Sequence, residues 1–375
     1  MAVYLILTLL VLTLALPVRK KQVNNGRLLA VYQGMTRQDA VNMIAILMIF
    51  TALFAVSALR LNVGNDYAKY VEFMHLVFSH AYVPTEAGFN AVTYVIYYLC
   101  GFENYILVFA VFAFFTIFFF MKALWQQSEH FTYSFMMFML LGYYFQSIST
   151  VRYYLALGIA LYSVKFVLKG DWPGFILLIL LGALFHKSIL VVLPLYFLAS
   201  LPWKKWMMLL GGAFCLSCLF LQDLYLKIVV FLYPSYKDTE YLTGGTSIVN
   251  IVRCTAILLF SLYMYRDCIK GNRTYSFYFW CNNMALALYL FGSFLPIISR
   301  IGYYLTVTHI LFVPALIFKV KDDKKRQFII LAGIVACLLY FAMYMRGAAN
   351  DGVRILPYQT FLFHEMPMTL SERGY

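Results

Sequence analysis

Residues 105–124 read Tyr105-Ile-Leu-Val-Phe-Ala-Val-Phe-Ala-Phe-Phe-Thr-Ile-Phe-Phe-Phe-Met-Lys122-Ala-Leu124. One charge in twenty residues gives the length and character that a helix needs to cross about 30 Å of hydrocarbon. The run is not isolated. Polar punctuation separates thirteen apolar segments: 2–18, 40–59, 89–100, 105–124, 133–148, 153–168, 172–185, 189–199, 206–221, 248–265, 275–295, 301–318 and 328–345. Of the 375 residues 63% are hydrophobic and 12% charged, against roughly 25% charged in an ordinary soluble domain. That balance argues against a soluble fold, a disordered chain and a nucleic-acid binder. It leaves an all-α, polytopic integral membrane helical bundle of about 12 spans with short re-entrant or interfacial helices. No stretch is long enough for a soluble domain, so residues 1–375 are expected to form a single transmembrane domain.

The net charge of +13 needs no polyanionic partner. Eighteen of the 29 basic residues fall in a few inferred inner loops: Arg19, Lys20, Lys21, Arg27 and Arg37; Lys122; Lys165 and Lys169; Lys204 and Lys205; Arg266, Lys270 and Arg273; and 319–326. Six acids share those loops, giving +12, while the other 11 basic and 10 acidic residues nearly cancel. Insertion bias predicts this asymmetry. The first apolar run has its basic residues after it rather than before it, the reverse of a signal peptide, and is read as a retained helix with its N-terminus outside. The seven cysteines lie mostly in apolar runs. Cys215 and Cys218 form a CxxC without a thioredoxin-like context, so they read as packing residues.

Parity places 60–86 outside and requires one of the thirteen segments not to cross. Segment 89–100, only twelve residues long, is the expected re-entrant or half-crossing helix. Segments 172–185 and 189–199 are also short. Read as two halves meeting at His186–Lys187, they put His186 near the outer face; read as one long helix, they put it inside the membrane.

Ionisable residues in or beside the membrane are expensive and tend to be functional. The segment Arg60-Leu-Asn-Val-Gly64-Asn-Asp66-Tyr67-Ala-Lys-Tyr70 ends one helix and opens another. Asp66 stands as an N-cap, and Tyr67, Tyr70, Phe73, Met74 and Val77 recur at helical spacing, with Lys69, Glu72 and His75 elsewhere. The outer segment 60–88 is therefore expected to contain an amphipathic surface helix. Its tyrosines suit an interfacial belt and also sugar stacking. Glu86 precedes the short segment, where a carboxylate favours the helix dipole or acts as a base. Arg152 opens a membrane helix at the wrong end for the dipole, which suggests that it faces an anion or a carboxylate. Arg300 repeats the case at Ser299-Arg300-Ile-Gly302-Tyr303-Tyr304, and Arg253 lies one turn into its helix. Guanidinium forks suit diphosphate oxygens. His186, in Phe185-His186-Lys187-Ser188, is either a core histidine or a general base. There is no HExxH, no paired His, no GxxxxGK[ST], no GxGxxG and no GxSxG, so neither a metal site nor a cofactor is expected.

These motifs, in this order, resemble the EpsG family, bacterial membrane proteins related to the Wzy polymerases of exopolysaccharide and O-antigen. The resemblance is carried by R-x3-G-x-D-Y-x2-Y at Arg60–Tyr70, by E-x-G-F at Glu86, Gly88 and Phe89, and by Arg152 with its following Leu-Ala. It continues through F-H-x-S at 185–188 with Pro194, Arg300-x2-Tyr303-Tyr304, and Pro357-Tyr358. Tyr153 stands where the family commonly has glutamine. The resemblance implies a multi-pass protein of the bacterial inner membrane. It implies a glycosyltransferase that moves a growing glycan from undecaprenyl diphosphate to a hydroxyl of a lipid-linked repeat unit at the outer face. Arg60, Arg152 and Arg300 would clamp the diphosphate, with Tyr67, Tyr70, Tyr303 and Tyr304 holding glycan. His186, Glu86 and Asp66 would serve as base or sugar-positioning groups. Arg60, Glu86, Arg152, His186 and Arg300 should then converge. The implied partners are the undecaprenyl-diphosphate-linked oligosaccharide, membrane lipid, a flippase and a chain-length regulator, with no nucleic acid.

Two other classes share part of this pattern. A flippase for the same lipid-linked oligosaccharide should show repeated halves and mid-membrane polar residues on several helices, and no repeat is visible. A membrane acyltransferase needs the lone histidine but not the arginines.

Overall fold

The computed structural model describes residues 1–19, 36–232, 247–295 and 298–363; Lys20, Lys21 and Arg27 of the first basic cluster lie outside them. In chain order the helices are α1 (Ala2–Ala15), α2 (Arg37–Ala58), α3 (Tyr67–Phe78), α4 (Ala87–Cys100), α5 (Tyr105–Gln127), α6 (Phe131–Leu140), α7 (Tyr143–Ser149) and α8 (Val151–Lys169). They continue as α9 (Trp172–Ala183), α10 (Val192–Ser200), α11 (Lys205–Phe220), α12 (Gln222–Leu232), α13 (Ile248–Tyr263), α14 (Arg273–Phe291), α15 (Ile298–Thr306), α16 (His309–Ile317) and α17 (Asp323–Arg346). Among the described residues there is no strand, only one backbone bridge between Arg60 and Thr360.

Polar caps set where the long apolar helices begin. Thr36 accepts from the Asp39 amide and Asp39 answers the Thr36 amide, closing a capping box on α2. Asn104 accepts from the Leu107 amide to start α5, Asn272 starts α14 and Asp322 starts α17. Between the caps apolar residues cover most of the helix circumference, as lipid contact on one side and packing on the other require. Among the described residues five stretches are long and apolar enough to cross a bilayer: Arg37–Ala58, Tyr105–Gln127, Val151–Lys169, Ile298–Ile317 and Asp323–Arg346. A sixth would be α11 with the start of α12, which bend by 95° at their junction. The remaining apolar runs form shorter helices, except 275–295, which forms the 19-residue α14. Segment 133–148, expected as one span, breaks at Gly142, whose φ of +80° stops α6 before α7 begins.

Burial is distributed as a lipid solvent demands. Large apolar side chains such as Leu47, Leu209, Leu331 and Leu339 are exposed, while Thr93, Ser134, Asn282, Thr306 and His309 are fully buried. In hydrocarbon the polar groups go inside and the aliphatic ones face out.

The chain divides into two compact units. The first comprises Met1–Tyr162, Leu180–Lys187 and Lys321–Tyr375; the second comprises Ser163–Ile179 and Ser188–Val320. In the first unit α2 and α5 pack antiparallel: Phe50 and Phe54 meet Phe114, and Arg60 meets Phe109. One end of this unit gathers the start of α1, the end of α2 and the segment 354–361, through Tyr4 Oη to the Ile355 carbonyl (3.0 Å), Leu61 N–H to Gln359 (3.0 Å) and Gly64 N–H to Arg354 (2.8 Å). The other end gathers Thr132 with Ala15 and Gln38 with Pro17.

The short helix α4 starts with Phe89 against Phe112, two turns into α5, and Tyr97 packs on Phe78 of α3. It ends at Cys100, just before α5 begins. Both ends of α4 therefore lie toward one end of α5. The helix α3 has the expected apolar face, with Tyr67, Tyr70 and Met74 buried and Lys69 and Glu72 exposed. His75 departs from the expected pattern: it is buried, and its Nδ1 lies 2.7 Å from Glu103 Oε1.

In the second unit Trp172 packs on Phe197 and Phe175 stacks on Tyr196. The chain thus turns back between α9 and α10. This is the two-halves arrangement, with the turn at 184–191; a single long helix is excluded.

Candidate active site

The turn after α9 and the start of α4 meet closely in the first unit. The Gly88 amide donates to the Leu184 carbonyl at 2.8 Å. A Cβ on Gly88 would sit 2.7 Å from that carbonyl oxygen, so only glycine permits the approach. The contact brings Glu86, the residue before α4, to the turn. Its carboxylate does not cap its own helix. Instead Oε2 accepts from Arg152 Nη1, and Oε1 accepts from the Lys187 amide at 3.1 Å. His186 Nδ1 lies 3.5 Å from the same Oε1. The three side chains are 11% (Glu86), 17% (Arg152) and 18% (His186) exposed.

Burial alone would raise the Glu86 pKa. The nearby His186 ring, the Arg152 charge and the Lys187 amide outweigh it and hold the group down to about 2. Glu86 is therefore a fixed anion. Arg152 is held from the other side by two rings, with Cζ 5.4 Å from the Tyr70 centroid and 5.3 Å from that of Phe89. Its Nε is buried and makes no hydrogen bond, leaving donor capacity beyond the Glu86 contact. Tyr153 sets its ring edge against His186 at 5.6 Å.

Of the five residues expected to converge, Glu86, Arg152 and His186 form this cluster. Arg60 has a different setting. It is 2% exposed, its Nη1 donates to the Ser57 carbonyl, and its Cζ lies 4.8 Å over Phe109. Tyr4, Tyr67, Tyr144 and Tyr358 lie within its electrostatic reach. The buried guanidinium turns back onto the end of its own helix rather than out to Glu86. Tyr67 stacks on Phe109 at 4.6 Å, so both side chains pack on that ring. Asp66 is half-buried at the N-cap position of α3, but its side chain accepts no capping hydrogen bond. Gly64, at φ +115°, has its would-be Cβ 2.8 Å from the Ile148 carbonyl oxygen, which fixes the turn between Arg60 and Asp66.

The second unit holds the remaining expected residues. Arg300 is exposed in the first turn of α15, and Tyr303 is half-buried. Tyr304 is buried; its hydroxyl lies 2.9 Å from Ser188 Oγ and its carbonyl accepts from Tyr196 Oη at 2.8 Å. Those bonds tie α15 to the start of α10.

Two features escaped the sequence reading. His75–Glu103 is one. The other is His309, fully buried with neither ring nitrogen hydrogen-bonded. A lone histidine inside the run 301–318 was the available signal. Among the described residues no three His, Cys, Asp or Glu side chains gather as a metal site, and none of the seven cysteines forms a disulfide.

These features define a multi-pass helical membrane protein with a part-buried guanidinium–carboxylate–imidazole cluster where a short helix meets a turn. The chain belongs to the EpsG family, whose model matches residues 43–360. EpsG is a Wzy-like polymerase family. The match starts within α2 and ends at Thr360, the bridge partner of Arg60. No curated protein and no solved structure matches the chain.

Proposed function

We propose that this protein polymerises a glycan at the outer face of the bacterial inner membrane, moving the growing chain from undecaprenyl diphosphate to a hydroxyl of a lipid-linked repeat unit. The observation that carries the reading is the Arg152–Glu86–His186 cluster. Glycosyl transfer from a diphosphate breaks the bond between the anomeric carbon and the phosphate oxygen, and the electron pair leaves with the diphosphate. The acceptor oxygen bonds to that carbon and loses its proton to a base. Glu86 is too weak a base for the task with its pKa near 2. It serves better to orient His186 through Nδ1, leaving Nε2 for the acceptor hydroxyl. Arg152 supplies donors for the departing diphosphate. Tyr70, against Arg152, lines the same place, while roles for Asp66 and Tyr67 rest on the family resemblance. The roles of Arg60, Arg300, Tyr303 and Tyr304 in gripping substrate rest on the family resemblance. In this reading the chain crosses about a dozen times, the shorter apolar helices completing spans beside the longer ones.

The chain-length distribution of polymer from Arg152→Ala and His186→Ala cells tests the proposal. Single repeat units accumulating outside the inner membrane, with long polymer gone, are expected. Normal long polymer in both variants overturns it, and repeat units trapped inside the cell point to a flippase instead.

A further inference from the structure

A groove of about 480 Å³ runs between α2 and α5 in the first unit, far along both helices from Glu86. Ile46, Leu47, Phe50, Phe118 and Met121 form its walls, and its polar mouth is made by Asp39, Asn42 and Lys122. The mouth lies at the end of the unit opposite Arg60, because α2 and α5 are antiparallel.

The polar groups at the mouth are not equally free to bind. Asp39 is engaged by the Thr36 amide and hydroxyl. Asn42 accepts from the Arg19 amide and from Gln38 Nε2, and donates to the Arg19 carbonyl. Lys122 lies against the Phe118 and Tyr162 rings at 4.8 and 6.0 Å and meets no carboxylate among the described residues. Its ammonium donors are therefore available to an anion. Arg19, bonded through its backbone to Asn42, is exposed beside the mouth, and Arg37 opens α2. Among the described residues Arg19, Arg37 and Lys122 stand against Asp39 and Glu129 at this end, so basic charge exceeds acidic there.

We infer that this groove binds one anionic phospholipid, an acyl chain lying along the α2–α5 walls and the phosphate resting at Lys122. Basic pockets between membrane helices on the side that carries the positive loops hold such headgroups. The walls offer an acyl chain apolar contact and offer a sugar nothing to hydrogen-bond. Trp125, which also lines the groove, suits the headgroup level. The inference does not depend on the polymerase reading.

Native mass spectrometry of the delipidated full-length protein tests it, with dioleoylphosphatidylglycerol, dioleoylphosphatidylcholine and undecaprenyl phosphate as probes. Phosphatidylglycerol should be retained about fivefold more strongly than phosphatidylcholine, since a basic residue at an anionic lipid surface is worth about 1 kcal/mol. Lys122→Gln should bring the two phospholipids level, and Ile46→Trp, which fills the groove, should lower retention of both. Equal retention by the unaltered protein, an unchanged preference in a folded Lys122→Gln variant, or displacement of phosphatidylglycerol by undecaprenyl phosphate at equal concentration would each overturn the assignment. The unaltered protein decides the first and third outcomes even if neither variant folds.

Discussion

Arg152 and Glu86, 66 residues apart in sequence, form a direct ion pair in which the guanidinium donates to one carboxylate oxygen while the Lys187 amide takes the other. An arginine in the first turn of a helix opposes the helix dipole. Here the carboxylate compensates, because Glu86 spends its charge on α8 rather than on its own helix α4. Breaking a fully buried pair on one side leaves an uncompensated charge and costs about 3–5 kcal/mol; this part-buried pair should lose less. Glu86→Gln should therefore lower thermal stability in detergent more than a double variant Glu86→Gln/Arg152→Met does. Equal losses in the single and the double variant would mean that the pair carries no coupling.

The pH dependence of that pair has a definite sign. Burial raises the Glu86 pKa, but the His186 ring beside it and the Arg152 charge prevail and hold it at about 2, below its ordinary value of 4.5. A carboxyl whose folded value is depressed contributes stability above its unfolded value, and that stability is lost as the pH falls toward the folded value. The melting temperature of the unaltered protein should exceed that of Glu86→Gln throughout pH 5 to 7. The margin should shrink as pH falls from about 4.5 toward 2. Melting curves of the two proteins from pH 3 to 7 check this, and a margin independent of pH would contradict it.

Gly88→Ala probes the approach that assembles the cluster. The new methyl would meet the Leu184 carbonyl oxygen at 2.7 Å, and backbone cannot step aside as a flexible side chain can. The turn carrying His186 and Lys187 must move from Glu86. Overpacking of this kind costs about 1–3 kcal/mol. Polymer output should fall along with stability, and output at the unaltered level would show that the cluster tolerates displacement.

The long spans were legible because their signals were local. A polar cap followed by some twenty apolar residues, as at Thr36–Asp39 or Asn104, leaves a helix no alternative. The break at Gly142 was not legible, since one glycine inside an apolar run reads as packing until its φ of +80° is seen. On α3 the spacing gave the buried face correctly, yet it left His75 off that face, because Glu103 lies in a later turn and only the packing of α3 on α4 brings them together. At the cluster the wrong-ended position of Arg152 pointed to an anionic neighbour, and the neighbour is Glu86. Arg60, read only as an arginine ending a membrane helix, folds back onto Ser57 and Phe109. Sequence spacing cannot distinguish an arginine that faces a cavity from one sealed beneath tyrosines.

Arg60 can be separated into its packing and its charge. Arg60→Ala would leave a void among Phe109 and the surrounding tyrosines and should cost about 3–5 kcal/mol. Arg60→Met, closer in volume and without the buried Nε that lacks a partner, should cost less than about 1.5 kcal/mol. If the cation itself serves the reaction, polymer is lost in Arg60→Met despite a near-normal melt. Polymer output that tracks stability through both variants would make Arg60 a packing residue alone.

His309 poses the opposite question in the second unit. It is fully buried, neither ring nitrogen is hydrogen-bonded, and Arg253 lies within electrostatic reach. Leaving a buried polar group without a partner costs about 1–3 kcal/mol, whereas an apolar group of similar shape removes that cost. His309→Phe should therefore raise or preserve the melting temperature. An intramembrane histidine retained against its energetic interest is by default a functional group, so polymer output should nevertheless fall in the stable variant. A variant that is both more stable and fully active would reduce His309 to a tolerated imperfection of the helix packing around α16.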